Sequence, residues 1–273
     1  MDKVCVLIRV YNRVEDLKYC LDIIRDTWKN FEYYIIVVTN GIGDGYMIDD
    51  DSRAKIDCLV QLENNVGHFN GNSQLLLAGL DSIPAECKYT VLLEADTWLY
   101  QDKLIKKYIG QLDAENAVWA SAQFFRYILN LATDFAIVKT SIFKAHKNLF
   151  VFSKTPEYHV ANYLVKNGLK FIYINENMPV SLPKYFRKYP YAYKGRFYTF
   201  EKSKMVTHHI EHLADGMEEK KYYFNLVTGV EYFKVNIDQS YTWTRFKIRL
   251  AIALSILLPY KSWFLKTKNT ASL

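Results

Sequence analysis

The sequence predicts an α/β fold in which helices flank a mostly parallel sheet. The first observation is VCVLIRV (4–10), a run of strand length that is apolar except for Arg9. The second is the segment 15–28, whose apolar residues recur at helical spacing, and the third is YYIIVVTNG (33–41), another apolar run that ends in Asn-Gly. A strand, a helix and a strand in succession form a βαβ unit, whose crossover requires a parallel sheet covered by helices.

Further elements continue this alternation along the chain. In order, the spacing of apolar residues predicts a short strand at 57–63, a helix at 72–83, a strand at 89–96, strand-like runs at 117–125 and 134–143, and a helix at 157–167. The chain has no internal repeat and no low-complexity linker. A length of 273 residues therefore favours one main domain.

Charge limits the classes of partner. The 35 Lys and Arg residues exceed the 29 Asp and Glu residues, which gives a net charge of +6 at pH 7. This modest excess favours nucleotide phosphates or anionic lipid head groups over acidic partners. Outside the C-terminal tail, the basic residues do not gather around a nucleic-acid-reading motif, so we expect no nucleic-acid partner.

The cysteines and the two ends of the chain bear on its location. Cys5, Cys20, Cys58 and Cys87 are widely spaced and form no CxxC pair, so we expect them to be reduced and mostly buried. The N-terminus enters a strand without the segments of a signal peptide. The apolar run LAIALSILLP (250–259) is shorter than the roughly 20 residues that a spanning helix needs. These features predict a cytoplasmic protein without a simple transmembrane anchor.

The ligand site is expected beyond the carboxyl ends of the strands, where open α/β sheets bind their ligands. Four loops follow strands there and should converge, namely 11–13, 39–45, 64–71 and 94–97. The third loop is rich in glycines and amides, which suits a tight turn that opens a helix N-terminus where anions bind.

Two acids stand out in the last of these loops. Glu94 and Asp96 lie two apart at the end of an apolar strand, and an extended chain points such side chains toward the same side. Divalent cations that bridge phosphates prefer carboxylate oxygens. The pair therefore predicts a metal and phosphate site, and the alternative is that both acids are merely solvated at a strand end.

Four segments, in this order, resemble the family-two and related bacterial glycosyltransferases of the GT-A fold: VLIRVYNR, VVTNGIGDG, NNVGHFNGN and LLEADTWLYQDKL. The resemblance covers residues 4–170. It implies a GT-A domain over 1–215, the fold of nucleotide-diphospho-sugar transferases. Residues 216–273 are then a C-terminal helical segment that associates with membranes or packs on the domain.

By this resemblance, the chain binds a nucleotide-diphospho-sugar donor, with a UDP-sugar as the first expectation, through strand-end and loop residues. They are Val10, Tyr11, Asn12, Arg13, Thr39, Asn40, Gly67, Asn72, Glu94 and Ala95. Glu94-Ala95-Asp96 takes the place of the family's DxD motif, which makes Asp96 the residue that holds Mn²⁺ or Mg²⁺ on the diphosphate. The chain departs from the family at Thr39-Asn40, where acids are usual, and at Glu94, where Asp is usual. The base and the metal geometry therefore stay open.

The resemblance also assigns residues on the acceptor side. The segment 133–139 resembles the part of the family that lines the donor sugar and the acceptor, with Asp134 bonded to a sugar hydroxyl. PEYHVANYLVKNGLKFIYI (156–174) resembles the helix that carries the family's catalytic acid and puts Glu157 in that place. An inverting transfer needs such a carboxylate to remove the proton of the acceptor hydroxyl. The alternative for Glu157 is a helix-start acid favoured by the macrodipole.

Two features near the C-terminus complete the set of candidates. THHIEHL (207–213) brings three histidines together, of which His208 and His209 are our candidates for a further metal ligand by the same resemblance. The tail 242–268 alternates aromatic and basic residues, a pattern that lies in the interface of anionic membranes. Its alternative is a pair of helices packed on the domain or on another subunit.

The sequence thus predicts a metal-dependent, hexosyltransferase-like enzyme that acts on a saccharide or lipid-linked saccharide, with inversion, in surface polysaccharide or lipopolysaccharide synthesis. We expect it in the cytoplasm, with peripheral attachment to the inner face of the cell membrane and homo-oligomerisation left open. One rival is a degenerate GT-A module that binds a glycan without catalysis. Another is a nucleotidyltransferase, which usually carries a glycine-rich basic loop directly after the first strand.

Overall fold

The computed structural model of the chain describes residues 3–123, 128–152, 155–177, 198–200, 202–207 and 216–236, together with Trp243, Phe246 and Leu250. The first half alternates strands and helices as β1 (Lys3–Val10), α1 (Val14–Thr27), β2 (Glu32–Thr39), α2 (Asp50–Arg53), β3 (Cys58–Gln61), α3 (His68–Leu80) and β4 (Tyr89–Glu94). A 3-10 turn, Ile42–Asp44, follows β2.

The second half is built of shorter elements. They are β5 (Trp98–Leu99), α4 (Lys103–Ala114), β6 (Trp119–Ser121), β7 (Phe135–Lys139), α5 (Ser141–Ala145), α6 (Pro156–Lys166), β8 (Phe171–Tyr173), β9 (Tyr198–Phe200), β10 (Met205–Thr207) and α7 (Gly216–Thr228). Two further 3-10 turns span Lys147–Phe150 and Asn175–Asn177.

The described strands form two sheets. The main sheet has seven strands in the order β3-β2-β1-β4-β7-β6-β8, and β7 alone runs antiparallel to its neighbours. The small sheet is antiparallel, in the order β5-β10-β9. This mostly parallel sheet with flanking helices confirms the predicted fold class.

Burial on both faces explains why the central strands are mostly apolar. Along β1, Val4, Val6 and Ile8 belong to the core cluster that includes residues of α1, α4 and α7. Cys5 and Leu7 alternate with them and pack in the opposite cluster, which includes residues of α3 and α6. A strand covered on both sides reads as a continuous apolar run, so the sequence pattern and the layering agree.

Several predicted boundaries are wrong; the strand-like run 117–125, for instance, is a strand only over Trp119–Ser121. The helix predicted from residue 72 begins at His68, because Gly67 takes a positive φ of 96° directly before it and the chain is helical from there. The run 134–143 is a strand only to Lys139, after which the chain turns into α5. The strand predicted to reach Asp96 ends at Glu94, since a turn follows at once.

The helix α4 was not predicted, although its pattern is present in the sequence. Its buried residues recur at helical spacing, at Leu104, Ile105, Tyr108, Ile109 and Leu112. They join the core cluster of β1 and α1. The apolar spacing of this helix is thus visible in the sequence.

The helix α7 packs into the same core as the first strand. Its Tyr222, Tyr223 and Phe224 are nearly or fully buried. The division of the chain at residue 215 stays a prediction. Within the described part of the chain, every helix is too short or too polar to cross a lipid bilayer.

Candidate functional site

Three parallel strands end together at one edge of the main sheet. The last residues of β1 and β2, Val10 and Thr39, are register partners, and Arg9 of β1 faces Glu94 at the end of β4. The loops after these strands therefore start side by side. This edge carries most of the residues predicted to form the site.

The acidic turn after β4 is fixed by backbone hydrogen bonds. The Ala95 amide donates to the Arg9 carbonyl at 3.1 Å, and the Thr97 amide donates back to the Glu94 carbonyl at 2.9 Å. Asp96 sits in this turn and is only 6% exposed. The premise that Glu94 and Asp96 lie in one extended strand is wrong, because the turn changes the chain direction between them.

Arg9 joins three elements beneath this turn. Its guanidinium donates to the Asn72 side chain on α3 and to the Thr133 carbonyl, and its Nη2 lies 3.2 Å from Glu94 Oε1. The Arg9 side chain is 3% exposed, whereas that of Glu94 is 28% exposed. A planar guanidinium presents five donors in a fixed fork, a geometry that a lysine ammonium cannot reproduce.

A chain of buried side-chain hydrogen bonds links the turn to the second half of the protein. Thr97 Oγ1 and Thr207 Oγ1 lie 2.7 Å apart, and Thr207 donates to Asp134 Oδ2 at 2.9 Å. Asp134 Oδ1 accepts the Phe135 amide at 2.9 Å. The Glu94 amide also donates to the Asp134 carbonyl at 2.9 Å. Asp134 thus lies beside the acidic turn.

A fully buried ion pair lies under the same turn. Lys220 of α7 pairs with Asp16 of α1, and its Nζ also donates to the Asp96 carbonyl at 2.7 Å. The ammonium is 4.2 Å from the centroid of the Trp98 ring. Burial raises the pKa of Asp16, while the Lys220 ammonium opposes that effect.

The loop after β1 packs on the loop after β2. The Tyr11 hydroxyl donates to Asp44 Oδ2 at 3.0 Å, and its ring meets the Tyr46 ring edge-on at 5.3 Å between centroids. The hydrogen bond to this carboxylate raises the pKa of the Tyr11 phenol. A Cβ at Gly41 would approach the Tyr11 carbonyl oxygen to 2.4 Å, so a glycine is required for this contact.

Two neighbours of Tyr11 complete this side of the site. Asn40 is buried and donates to Gln74 Oε1 at 3.2 Å, and Thr39 Oγ1 accepts the Gly41 amide at 3.3 Å. Asn12 is exposed and Arg13 is half-buried at the start of α1. In place of an acid at 39–40, this chain has the Asp44 carboxylate beside Tyr11.

The N-terminus of α3 faces the same edge through Asn72. Gly67 precedes the helix, and its amide donates to Asn65 Oδ1 at 2.9 Å. Asn72 accepts from Arg9 within the first turns of the helix. Of the glycines and amides predicted to form a loop, Gly67 therefore caps the helix and Asn72 lies within it.

Glu157 lies at the second residue of α6, directly after Pro156. Its carbonyl accepts the Leu131 amide at 3.1 Å, which joins the start of α6 to the segment that leads to Asp134. The side chain is half-buried. The positions of His208 and His209 lie outside the described residues, and Thr207, which precedes them, reaches the site.

Arg9, Asp16, Thr207 and Lys220 are site neighbours that the sequence reasoning missed. A charged residue in the apolar run of β1 was the available signal for Arg9. The sequence carried no such signal for Asp16 and Lys220, since an acid in the first turn of a helix and a lysine in a helix usually face solvent.

The fit of a divalent cation can be tested against these residues. Glu94 already pairs with Arg9, which leaves Asp96 as the carboxylate of the turn. In the described ranges, no three His, Cys, Asp or Glu residues gather as a metal site. A cation held by one or two carboxylates together with substrate phosphates needs no such cluster, so Asp96 fits that kind of binding.

Solved glycosyltransferase structures resemble the chain in fold. The mannosyltransferase PcManGT from Pyrobaculum calidifontis, in complex with GDP-Man and Mn²⁺, has a TM-score of 0.50 and 12% identity, over 94% of this chain and 77% of that one. TarS 1-349 from S. aureus in complex with UDP has a TM-score of 0.45 and 12% identity, over 98% and 76%. The catalytic domain of Drosophila beta1,4galactosyltransferase 7, in complex with xylobiose, has a TM-score of 0.42 and 14% identity, over 63% of this chain and 65% of that one.

The first of these likenesses supports the fold, and the two lower scores add no weight to it. No protein-family pattern matches the sequence, and no curated protein sequence matches it either. The strand order, the antiparallel β7 and the likeness to the mannosyltransferase show that the chain has the GT-A fold.

Proposed function

We propose that the chain transfers a sugar from a nucleotide-diphosphate donor to a saccharide or a lipid-linked saccharide. The observation that carries the proposal is the buried acidic turn, with Asp96 at the edge of a GT-A sheet and Asp134 linked to it through Thr207 and Thr97. Open α/β sheets bind their ligands beyond the carboxyl ends of the strands, and these acids are anchored there.

The donor would lie along this edge with its nucleoside near Tyr11. Support comes from the tight packing of the Tyr11 loop on Gly41 and Tyr46, which forms a wall of aromatic and backbone groups. Thr39 and Asn40 adjoin Gly41 at the end of β2, and the Thr39 hydroxyl accepts the Gly41 amide. We propose a UDP-sugar as the donor.

Asp96 would hold Mn²⁺ or Mg²⁺ together with the diphosphate, joined by His208 or His209. When bound, such a cation neutralises the charge that gathers on the leaving diphosphate. Glu94 would instead serve as a hydrogen-bond acceptor for the nucleotide, with its charge offset by Arg9.

Glu157 is proposed as the general base of an inverting transfer. Its carboxylate takes the proton of the acceptor hydroxyl, whose oxygen forms a bond to the anomeric carbon while the bond to the diphosphate oxygen breaks. Asp134 would orient a sugar hydroxyl. Support for Glu157 is its position at the start of α6, beside the segment that leads to Asp134.

The acceptor, the pathway and the location extend the proposal. We propose surface polysaccharide or lipopolysaccharide synthesis at the inner face of the cell membrane, with the C-terminal tail on anionic lipid. In the described part of that tail, Trp243, Phe246 and Leu250 are helical and 56%, 53% and 45% exposed. Their spacing puts them on one helical face.

A panel of nucleotide sugars tests the proposal. We expect one of them to be hydrolysed slowly without an acceptor, and to raise the melting temperature, in the presence of Mn²⁺. Asp96→Asn should abolish both effects, and the matched control Asp81→Asn, which changes an acid at the end of α3, should not. The proposal fails if no member of the panel is hydrolysed or raises the melting temperature with either metal.

A second candidate is a GT-A module that binds a glycan or nucleotide without turning it over. The pairing of Glu94 with Arg9 favours it, because one of the two acids is then engaged within the protein. This candidate predicts nucleotide or glycan binding without hydrolysis or transfer, and the same panel separates the two.

A further inference from the structure

We infer that Lys220 is a positioning residue that holds the acidic turn in place from α7. The inference rests on the proposed function, because it assigns the turn at residues 94–97 to donor binding. Lys220 lies on α7, 124 residues from Asp96 along the chain. Its contacts with the turn therefore depend on the docking of a C-terminal helix.

The ammonium has three partners. It donates hydrogen bonds to Asp16 Oδ1 and, at 2.7 Å, to the Asp96 carbonyl, and it lies 4.2 Å from the centroid of the Trp98 ring. The side chain of Lys220 is completely buried, and that of Asp16 is 1% exposed. A lysine this deep is rare unless it is paired, so the arrangement is specific.

The Asp96 carbonyl is the group on which the inference depends. A carbonyl held by a buried ammonium restrains the peptide plane that follows Asp96, and this limits the ψ rotation that helps to set the direction of the Asp96 side chain. The next carbonyl, that of Thr97, accepts from Cys20 Sγ at 3.6 Å. The turn is thus held from the α1 side as well as from α7.

Asp16 holds the lysine in position. Its carboxylate balances the ammonium, and its carbonyl accepts the Trp98 indole N–H at 3.2 Å, which places the ring under Lys220. Asp16, Trp98 and Lys220 therefore act as one unit. Breaking the pair by a single substitution would leave an uncompensated buried charge, which is strongly destabilising.

The test removes both charges together. Lys220→Met with Asp16→Ala deletes the ion pair and the bond to the Asp96 carbonyl, and methionine fills irregular gaps well. We expect the melting temperature to fall by about 4–8 °C with the fold retained, because exchanging a buried ion pair for apolar groups is often neutral, whereas the Asp96 carbonyl loses a donor at a cost of about 2 kcal/mol. Lys221→Met is the matched control, since Lys221 follows Lys220 on α7 but bonds Glu218 and lies over the Tyr19 ring.

Two measurements decide the outcome. In calorimetry with UDP and Mn²⁺, the double variant should bind about tenfold more weakly than the wild type, while Lys221→Met should bind equally well. In hydrogen exchange without any ligand, the amides of Ala95 and Thr97 should exchange faster in the double variant, and those of β2 should not.

Unchanged exchange at Ala95 and Thr97, or unchanged UDP affinity in a wild type that binds UDP, would overturn the inference. If the wild type binds neither UDP nor GDP with Mn²⁺, the proposed donor site fails. The exchange comparison then still decides whether Lys220 holds the turn.

Discussion

Arg9 and Glu94 are register partners on adjacent parallel strands, and their side chains form an ion pair of 3.2 Å at the edge where the site lies. The first acid of the Glu94-Ala95-Asp96 motif is thus neutralised from within the sheet. The same guanidinium binds Asn72 and the Thr133 carbonyl, so it ties α3 and the segment before β7 to the motif.

Arg9→Lys should therefore destabilise the protein despite the retained charge. An ammonium lacks the fork that serves three acceptors, and it leaves at least one buried acceptor without its donor. We expect a loss of about 2 kcal/mol in the free energy of unfolding, measured by urea denaturation. Arg53→Lys, on the exposed end of α2, should change it by less than about 0.5 kcal/mol. Equal effects of the two substitutions would show that the fork geometry at Arg9 is unimportant.

Glu157→Gln should separate catalysis from binding. The amide cannot accept the acceptor proton, so turnover should fall by about 100-fold or more while donor affinity stays near that of the wild type. Steady-state kinetics and calorimetry with the donor measure the two quantities. The matched control is Glu218→Gln, another acid in the first turn of a helix, which should leave turnover unchanged. Parallel losses in affinity and rate would point to a structural role for Glu157.

The exposed face of Trp243, Phe246 and Leu250 should bind anionic lipid. The Trp243 and Phe246 rings stack at 5.5 Å between centroids, which forms a continuous apolar surface. We expect the full chain to sediment with vesicles rich in phosphatidylserine at low salt, and Trp243→Ser with Phe246→Ser to abolish this. Val230→Ser, at another exposed apolar residue, is the control. If the double substitution changes the oligomeric state instead, the face is a subunit interface and the lipid prediction is wrong.

The more deeply a cysteine is buried, the more slowly it should react. All four cysteines are free thiols, and Cys5, Cys20 and Cys87 are buried while Cys58 is partly exposed. Burial raises the pKa of Cys87 to about 11, so at pH 8 only about one thiol in a thousand is ionised there. In iodoacetamide labelling of the native protein followed by mass spectrometry, Cys58 should react first. Labelling of Cys87 at the same rate as Cys58 would contradict this order.

Glu176 should make the free energy of unfolding depend on pH in the acid range. Burial alone would raise the pKa of Glu176, but hydrogen bonds from Lys107 and from the Tyr108 hydroxyl, the latter at 2.6 Å, hold the pKa below its usual value. A lowered folded-state pKa contributes stability above the unfolded pKa of about 4.3, and that contribution is lost as the pH falls through the folded pKa.

Glu176→Gln should therefore cost about 1 kcal/mol at pH 7 and flatten the loss of stability on acidification below about pH 4.3. Urea denaturation at several pH values measures both effects. Glu63→Gln, at an exposed residue, serves as the control and should leave the pH profile unchanged. A Glu176→Gln profile that parallels the wild type would rule out this linkage.

The sequence by itself determined the layers of the fold and the chain order of its loops. Apolar runs such as residues 4–10 are local patterns, and burial on both faces of a central strand dictates them without reference to any distant residue. The same holds for the helix of α1 and for the acids after β4. Element ends were less predictable, because the cap at Gly67 and the turn after Glu94 depend on single backbone angles and bonds.

The tertiary structure decided which buried charges meet. Lys220 and Asp16 are 204 residues apart, and no periodicity relates them. Arg9 meets Glu94 because β1 and β4 are neighbours in one register, and a shift of that register by one residue would turn Arg9 to the other face. Burying a charge is costly unless a partner is held at hydrogen-bond distance, and that partner is supplied by packing in three dimensions, which local sequence patterns do not encode.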